Sequence, residues 1–349
     1  MLPKTVVSGF EPIVGQAFPI GILQRFLRRA AVPHAMLFTG IEGIGKRTTA
    51  RVMAMALNCR EGTKSVDEGP PGAFDQPCRR CPLCRQIEAV KHPDIIEISP
   101  RKGILRIDQV RELLASLAMK PFSATHRVVI IDDAHQLNPE AGNALLKVLE
   151  EPPQGTILVL TAPQRSGLLA TIVSRCRHIP FNPLSAEDMA GLLAETQGLD
   201  PILSKTLAKA AGGSYTKALQ LAAGKWHHRR DWLIRASGLD RIDPHRPLAS
   251  TLALAFAAEL AKSKVQIDDD LEILKSWVRD LSVLPFKATH IVNADRKEML
   301  AHVRTQLSDR HLTVIWEALE KAQKDIAGNA NLRLTLDNMA LRMACLRAA

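Results

Sequence analysis

Aromatic side chains are scarce in this 349-residue chain: they make up 4%, with nine Phe, four Trp and one Tyr. Holding single strands of nucleic acid on stacked rings takes several exposed aromatics, so that class of protein is disfavoured. Long apolar runs are missing too, and no stretch approaches the roughly 18 uninterrupted apolar residues needed to cross a bilayer. The opening residues, MLPKTVVSGF, lack the apolar core of a secretory signal, and a cytoplasmic protein is expected. No internal repeat is evident. Acidic side chains are in deficit, 36 against 46 basic ones, which leaves a formal net charge of +10.

What is present describes a globular chain. Hydrophobic residues at 46%, charged residues at 23% and a mean hydropathy of −0.02 exclude disorder for most of it, and the length allows two or three domains. The positive charge invites a nucleic-acid reading, because basic surfaces release counterions from phosphate backbones. Its placement tempers that reading. Residues 1–50 carry 6 basic and 2 acidic side chains, residues 201–250 carry 9 and 3, and the other blocks cancel. The surplus includes Arg25, Arg28 and Arg29 on one candidate helix, and Lys205, Lys209, Lys217, Lys225, Arg229 and Arg230 on two or three others. Runs of this kind read as solvated helix faces before they read as DNA contacts.

The first half alternates β-branched runs with helical patterns, the signature of a parallel α/β sheet. Five strands are expected at residues 35–39, 94–98, 128–132, 156–161 and 178–181, with helices at 46–58, 108–119 and 139–150. The last helix has Asn138 as N-cap, Pro139 at its first position and Pro152-Pro153 as its stop. After Pro183 only helical patterning continues, broken at Gly212-Gly213, near 243–247 and around Pro285. The expected division is an α/β domain over 1–182, a small helical segment over 183–225 and an all-helical domain over 226–349. Residues 61–77 are rich in turn formers and read as a surface loop.

Four of the six cysteines have the spacing Cys59-x18-Cys78-x2-Cys81-x2-Cys84. In a cytosolic chain this pattern points to a metal, since C-x-x-C turns let neighbouring thiolates converge on one tetrahedral Zn²⁺. Four thiolates leave no position for a substrate water, so the ion is read as structural. Buried cysteines or a redox pair are the competing explanation. Cys345 has no partner spacing and reads as a core residue.

Gly40-Ile41-Glu42-Gly43-Ile44-Gly45-Lys46 follows an apolar strand and opens a helix, matching the phosphate loop G-x-x-x-x-G-K in its required context. Gly40, Gly43 and Gly45 let backbone N–H groups approach phosphates, the helix N-terminus adds positive potential, and Lys46 reaches the outer phosphates. The hydroxyl that holds Mg²⁺ in such loops is replaced by Arg47. Thr48 comes one residue late, about 100° around the helix. A cation at that position opposes Mg²⁺, although the glycines and Lys46 can cradle phosphates with Arg47 taking part of the ion's electrostatic role. Downstream, Asp132 and Asp133 close a strand as a Walker B element does; the second position usually holds Glu, which orients the attacking water. A solvated strand end is the competing reading of either carboxylate.

These motifs occur in one order: GFEPIVGQ, HAMLFTG, the four-cysteine insertion, IIDDAHQLNPEAGNALLKVLEEPP, LVLTAP and SRC. Over roughly residues 9–225 the chain resembles bacterial DNA polymerase III clamp-loader subunits, and more thinly, through LKSWVRDLSVLPF and IVNADR, their collar domain. The resemblance implies an AAA+ fold with a helical lid and a collar through which five subunits form a ring. It further implies ATP at subunit junctions, with Arg175 of Ser174-Arg175-Cys176 as an arginine finger acting on a neighbour's ATP and Thr161 at the sensor 1 position. Partners implied are the gamma/tau and delta subunits, the sliding clamp, and primer-template DNA through the assembly. Arg47, Asp133, and Thr216 where the lid motif G-S-x-R has Arg all depart from the motor subunits. They make the chain similar to the stator-type delta-prime members, which donate a finger without turning ATP over. Two other readings fit parts of the sequence: a working gamma/tau-like ATPase that tolerates Arg47, and an autonomous DNA-binding module built on the cysteines and basic helices.

Overall fold

The computed structural model describes residues 9–11, 13–62, 75–241, 249–264 and 266–344; Cys345, the break near 243–247 and most of the 61–77 loop lie outside them. Two compact units are formed, one from Met1–Asp188 with Gly213–Thr216, the other from Met189–Gly212 with Lys217–Ala349.

The first unit is built on five parallel strands, β1 (Ala35–Thr39), β2 (Ile95–Ile98), β3 (Arg127–Ile131), β4 (Thr156–Ala162) and β5 (Arg177–Pro180), in the order β2-β3-β4-β1-β5. Every residue of β1, β3 and β4 is buried, because crossover helices cover both faces; this is why these strands read as apolar runs without alternation. On one face α4 (Ile107–Leu117), α5 (Pro139–Glu150) and the single turn α6 (Ala170–Val173) set Leu113, Leu117, Leu145, Leu149 and Ile172 against Leu37, Val129, Ile131, Leu158 and Leu160. α1 (Ala17–Arg28) and α2 (Lys46–Asn58) pack with the sheet and each other. Truncating one of these buried leucines to Ala costs about 2–5 kcal/mol.

Local signals place α2 and α5 at the expected bounds. Asn138 caps α5 by accepting the Ala141 N–H at 3.1 Å, with Pro139 in the first turn. Elsewhere the bounds shift. β2 begins after Asp94, whose carboxylate is occupied by the backbone N–H groups of Phe122, Ser123 and Ala124, each at 2.9 Å. α4 stops at Leu117, short of the expected Met119, where Arg127 gathers the carbonyls of Ser116, Leu117 and Met119. β3 ends one residue before Asp132, because Asp133 turns into the left-handed region at φ +49°. β4 runs one residue past Thr161 and β5 spans 177–180, one residue earlier than expected.

The second unit is helical: α7 (Ala186–Gln197), which begins in the first unit, α8 (Pro201–Ala210), α9 (Tyr215–Ala223), α10 (Trp226–Ala236), α11 (Ser250–Leu260), α12 (Ile267–Val283), α13 (Lys297–Gln306), α14 (Asp309–Ala327) and α15 (Leu332–Ala344). Asp280 of α12 accepts from the backbone of Val292 at 3.0 Å and of Asn293 at 2.7 Å, tying the LKSWVRDLSVLPF segment to IVNADR. Here one reading of the charge is corrected. Arg230 is fully buried and bonded to Asp295 and Asp231, Arg229 is paired with Asp270 at 2.5 Å, and Lys209 donates to the carbonyls of Thr289 and Ile291. Of the nine cations expected on solvated faces, three of the six that lie between residues 201 and 250 therefore hold the helical unit together.

Candidate nucleotide and metal sites

The phosphate loop leaves the carboxyl end of β1. The Gly40 N–H donates to the carbonyls of Ala162 and Pro163 at 3.2 and 3.1 Å, and its φ of +145° is open only to glycine. A Cβ there would lie 2.6 Å from the Phe181 carbonyl oxygen. Gly43, at φ +76°, is the crest: its carbonyl accepts the Tyr215 N–H at 3.0 Å, and a Cβ would meet Ser214 Oγ at 2.5 Å. Gly45, at φ +95°, is the residue before α2. Among the described residues, nothing accepts from the backbone N–H groups of Glu42, Gly43, Ile44, Gly45 and Lys46. Five such donors in a row form a concavity for an anion.

Lys46 is buried, and its Nζ donates to the carbonyls of Gly40 at 2.5 Å and Ile41 at 2.8 Å. Burial lowers its pKa, against the opposing pull of Asp133, Asp132 and Glu42. Its ammonium is thus buried against neutral oxygens, an arrangement that an incoming anion relieves.

Arg47 points to the strand ends. Its Nη1 lies 3.1 Å from Asp132 Oδ2 and its Nε 3.9 Å from Glu97, while Arg51 also pairs with Glu97, with Nη2 at 2.6 Å. The other oxygen of Asp132 accepts from Thr161 Oγ1 at 2.6 Å, and the same hydroxyl accepts the Asp133 N–H at 3.0 Å. Thr161 thereby fixes both carboxylate-bearing residues at the end of β3. Thr48 is exposed, and Thr49 turns its hydroxyl back to the Gly45 carbonyl. Magnesium demands six oxygens in near-ideal octahedral geometry at about 2.0–2.1 Å. Here the loop offers a guanidinium in place of a hydroxyl, and Asp132 is already committed to that cation and to Thr161. These residues do not suit the ion.

Arg175 stands on the turn between α6 and β5. Its guanidinium pairs with Glu150, the last residue of α5, with Nε at 2.8 Å, and Nη1 donates to the Thr171 carbonyl at 2.9 Å. Its partners are thus on its own turn and at the end of α5, and none belongs to the phosphate loop.

The cysteine cluster forms at the opposite end of α2. Asn58 bonds the backbone of His126 through both its side-chain atoms, at 2.9 and 3.0 Å, and so fixes where the next residue, Cys59, leaves the helix. Cys81 is the N-cap of α3 (Pro82–Glu88). The four sulfurs of Cys59, Cys78, Cys81 and Cys84 lie within 4.8 Å of one another, and the N–H groups of Cys78, Cys81 and Cys84 donate to the sulfurs of Cys59, Cys78 and Cys81 at 3.4, 3.3 and 3.5 Å. Four thiolates at about 2.3 Å from one ion need sulfurs roughly 3.8 Å apart, so this donor set fits a tetrahedral thiophilic metal ion. Burial raises the thiols of Cys59 and Cys84. At Cys78 burial is outweighed by the N–H groups of Cys81 and Arg80 and the thiols of Cys59 and Cys81, and its pKa falls to about 7. Cys176 is separate, with burial raising its pKa to about 11.

Glu97, Arg51 and Glu150 were not foreseen as parts of these sites. Their signals were weak: a lone carboxylate within an apolar strand, and the first Glu of LEEPP. No helix among the described residues is long and apolar enough to cross a membrane.

Residues 15–185 match the family described as DNA polymerase III, delta subunit. DNA polymerase III subunit gamma of Buchnera aphidicola (Schizaphis graminum) is 33% identical over 225 residues, 63% of this chain and 59% of that one. Subunit tau of Bacillus subtilis is 30% identical over 278 residues, 77% of this chain and 46% of the relative. Subunit tau of Escherichia coli is 33% identical over 217 residues, covering 61% and 32%. The chain thus spans between about a third and three fifths of the length of these relatives. Over residues 15–185 the chain is thus similar to subunits of bacterial DNA polymerase III, the proteins its sequence motifs resemble.

Proposed function

We propose that this chain is the stator-type, delta-prime subunit of a DNA polymerase III clamp loader: it helps a ring of subunits place the sliding clamp on primed DNA without hydrolysing ATP itself. The observation that carries this reading is the Arg47–Asp132 pair, which puts a side-chain cation where a motor subunit needs Mg²⁺. Asp133 and Thr216, in place of the motor's Glu and lid Arg, weaken hydrolysis in the same direction. Residues 183–225 serve as lid and 226–349 as collar, and Zn²⁺ at the four cysteines is structural. Gamma/tau and delta subunits are the partners, and primer-template DNA is met through the assembly.

Arg175 acts outside its own chain. A planar guanidinium that is always charged, set on a rigid turn, can stabilise charge developing on the γ-phosphate of a neighbour's ATP. In the reconstituted loader, Arg175→Ala should lower DNA-stimulated ATPase and clamp loading by about tenfold or more, as losses of trans arginines do. Unchanged activity removes the finger from the reading.

A second reading, an ATP-hydrolysing gamma/tau-like subunit, is favoured by the names of the relatives above. Mg²⁺-dependent turnover by the purified chain, lost in Lys46→Ala, would establish it over the stator reading.

A further inference from the structure

The carboxylate end of the phosphate loop does not suit magnesium, yet the loop itself offers a phosphate chain a full set of donors. Resting on the reading of this site as non-hydrolysing, we propose that Gly40–Lys46 binds the polyphosphate of a nucleoside triphosphate without a divalent ion, Arg47 standing where the ion would link phosphate to Asp132.

A divalent ion in such a site neutralises phosphate charge and joins the outer phosphate oxygens to the protein's oxygen ligands. Arg47 can do both from its own side chain. Its guanidinium carries five N–H donors in a fixed fork. Nη1 is spent on Asp132 and Nε faces Glu97 at 3.9 Å, while Nη2 donates to none of the described residues. Asp132 orients the fork and is held in turn by Thr161 at 2.6 Å. Lys46 supplies the second cation, buried against two neutral carbonyls that a phosphate would displace. The N–H groups of Glu42 to Lys46, which donate to none of the described residues, complete the cradle. A triphosphate without metal carries two more negative charges than its magnesium complex, and here it meets two cations already in place. A magnesium complex would instead bring its ion against Arg47.

Titration calorimetry of ATP into the purified full-length chain, with EDTA and with excess Mg²⁺, tests the proposal. ATP should bind in EDTA at least as tightly as in Mg²⁺. Arg47→Thr, a substitution at an exposed position, should reverse the order and make Mg²⁺ tighten binding by about tenfold, or 1.4 kcal/mol, and Lys46→Ala should lose binding in both buffers. Binding by the wild-type chain that requires Mg²⁺, or none in either buffer, overturns the proposal. Turnover of ATP by the purified chain is a different result, which refutes the stator reading; absent binding without turnover refutes only the metal-free site.

Discussion

The two ends of the five-stranded sheet are finished in opposite ways. Where the strands begin, polar groups find partners inside the chain: Asp94 collects three backbone N–H groups, Asn58 bridges α2 to His126, Arg127 caps the last carbonyls of α4, and four sulfurs face one another. Where the strands end, five loop N–H groups find no acceptor among the described residues, Lys46 rests on carbonyls, and Asp132 is shared between a hydroxyl and a guanidinium. An end whose polar groups are mostly turned on one another, with Arg127 Nε and His126 Nδ1 left over in the interior, chiefly stabilises. The end with donors to spare is where a ligand gains by binding, as in open parallel sheets generally. Perturbing the first end should therefore change stability, and perturbing the second should change function at nearly constant stability.

The largest effect is expected at the cysteines. On the structural-zinc reading, stripping the metal with a thiophilic chelator, or Cys84→Ser, removes the ion that would hold the four sulfurs together. It should cost about 5 kcal/mol or more, a fall in Tm of more than about 10 °C for a unit of this size. Metal analysis of the purified chain should give one zinc per protein. A Tm unmoved by chelation would show that the thiols close this end of the sheet without an ion.

A smaller loss is expected from Asp94→Asn, which keeps the shape but presents an amide donor to N–H groups that need an acceptor. Chemical denaturation should show a loss of about 3 kcal/mol near neutral pH. Burial alone would raise the Asp94 carboxyl, but the N–H groups of Ser123, Ala124 and Phe122 outweigh it, and its pKa in the folded chain lies below the ordinary 3.8. The stabilisation it supplies is therefore complete above 3.8 and is lost as pH falls through the lower folded value. The gap between wild type and Asp94→Asn should stay constant toward neutrality and narrow only in acid. A gap that narrows already at pH 6 would mean the carboxylate is not the group responsible.

Residues that act on near neighbours in sequence were legible before the fold was known. Asn138-Pro139 started α5 and Gly45-Lys46 started α2, because caps and glycine turns act within a few residues. The cysteine set was legible for the same reason, three of its members lying within seven residues. Arg229 and Arg230 were not: their acids, Asp270 and Asp295, lie 41 and 65 residues away, and charge patterning along one helix carries no record of them. The Arg47–Asp132 pair lies between. Its two halves were each singled out, but a separation of 85 residues hid the bond that joins them.

The smallest change in stability is expected at Arg175, where the comparison is sharpest. Its guanidinium pairs with Glu150 and bonds the Thr171 carbonyl. Those contacts are exposed, though, and an ion pair in water contributes at most about 0.5–1 kcal/mol. Arg175→Ala should leave the Tm of the isolated chain within about 2–4 °C of wild type, whatever it does to the assembled loader. On the finger reading, a side chain that benefits its own fold so little has its use in a neighbouring subunit. A fall in Tm approaching that of Asp94→Asn would instead return Arg175 to the set of residues that merely close the sheet.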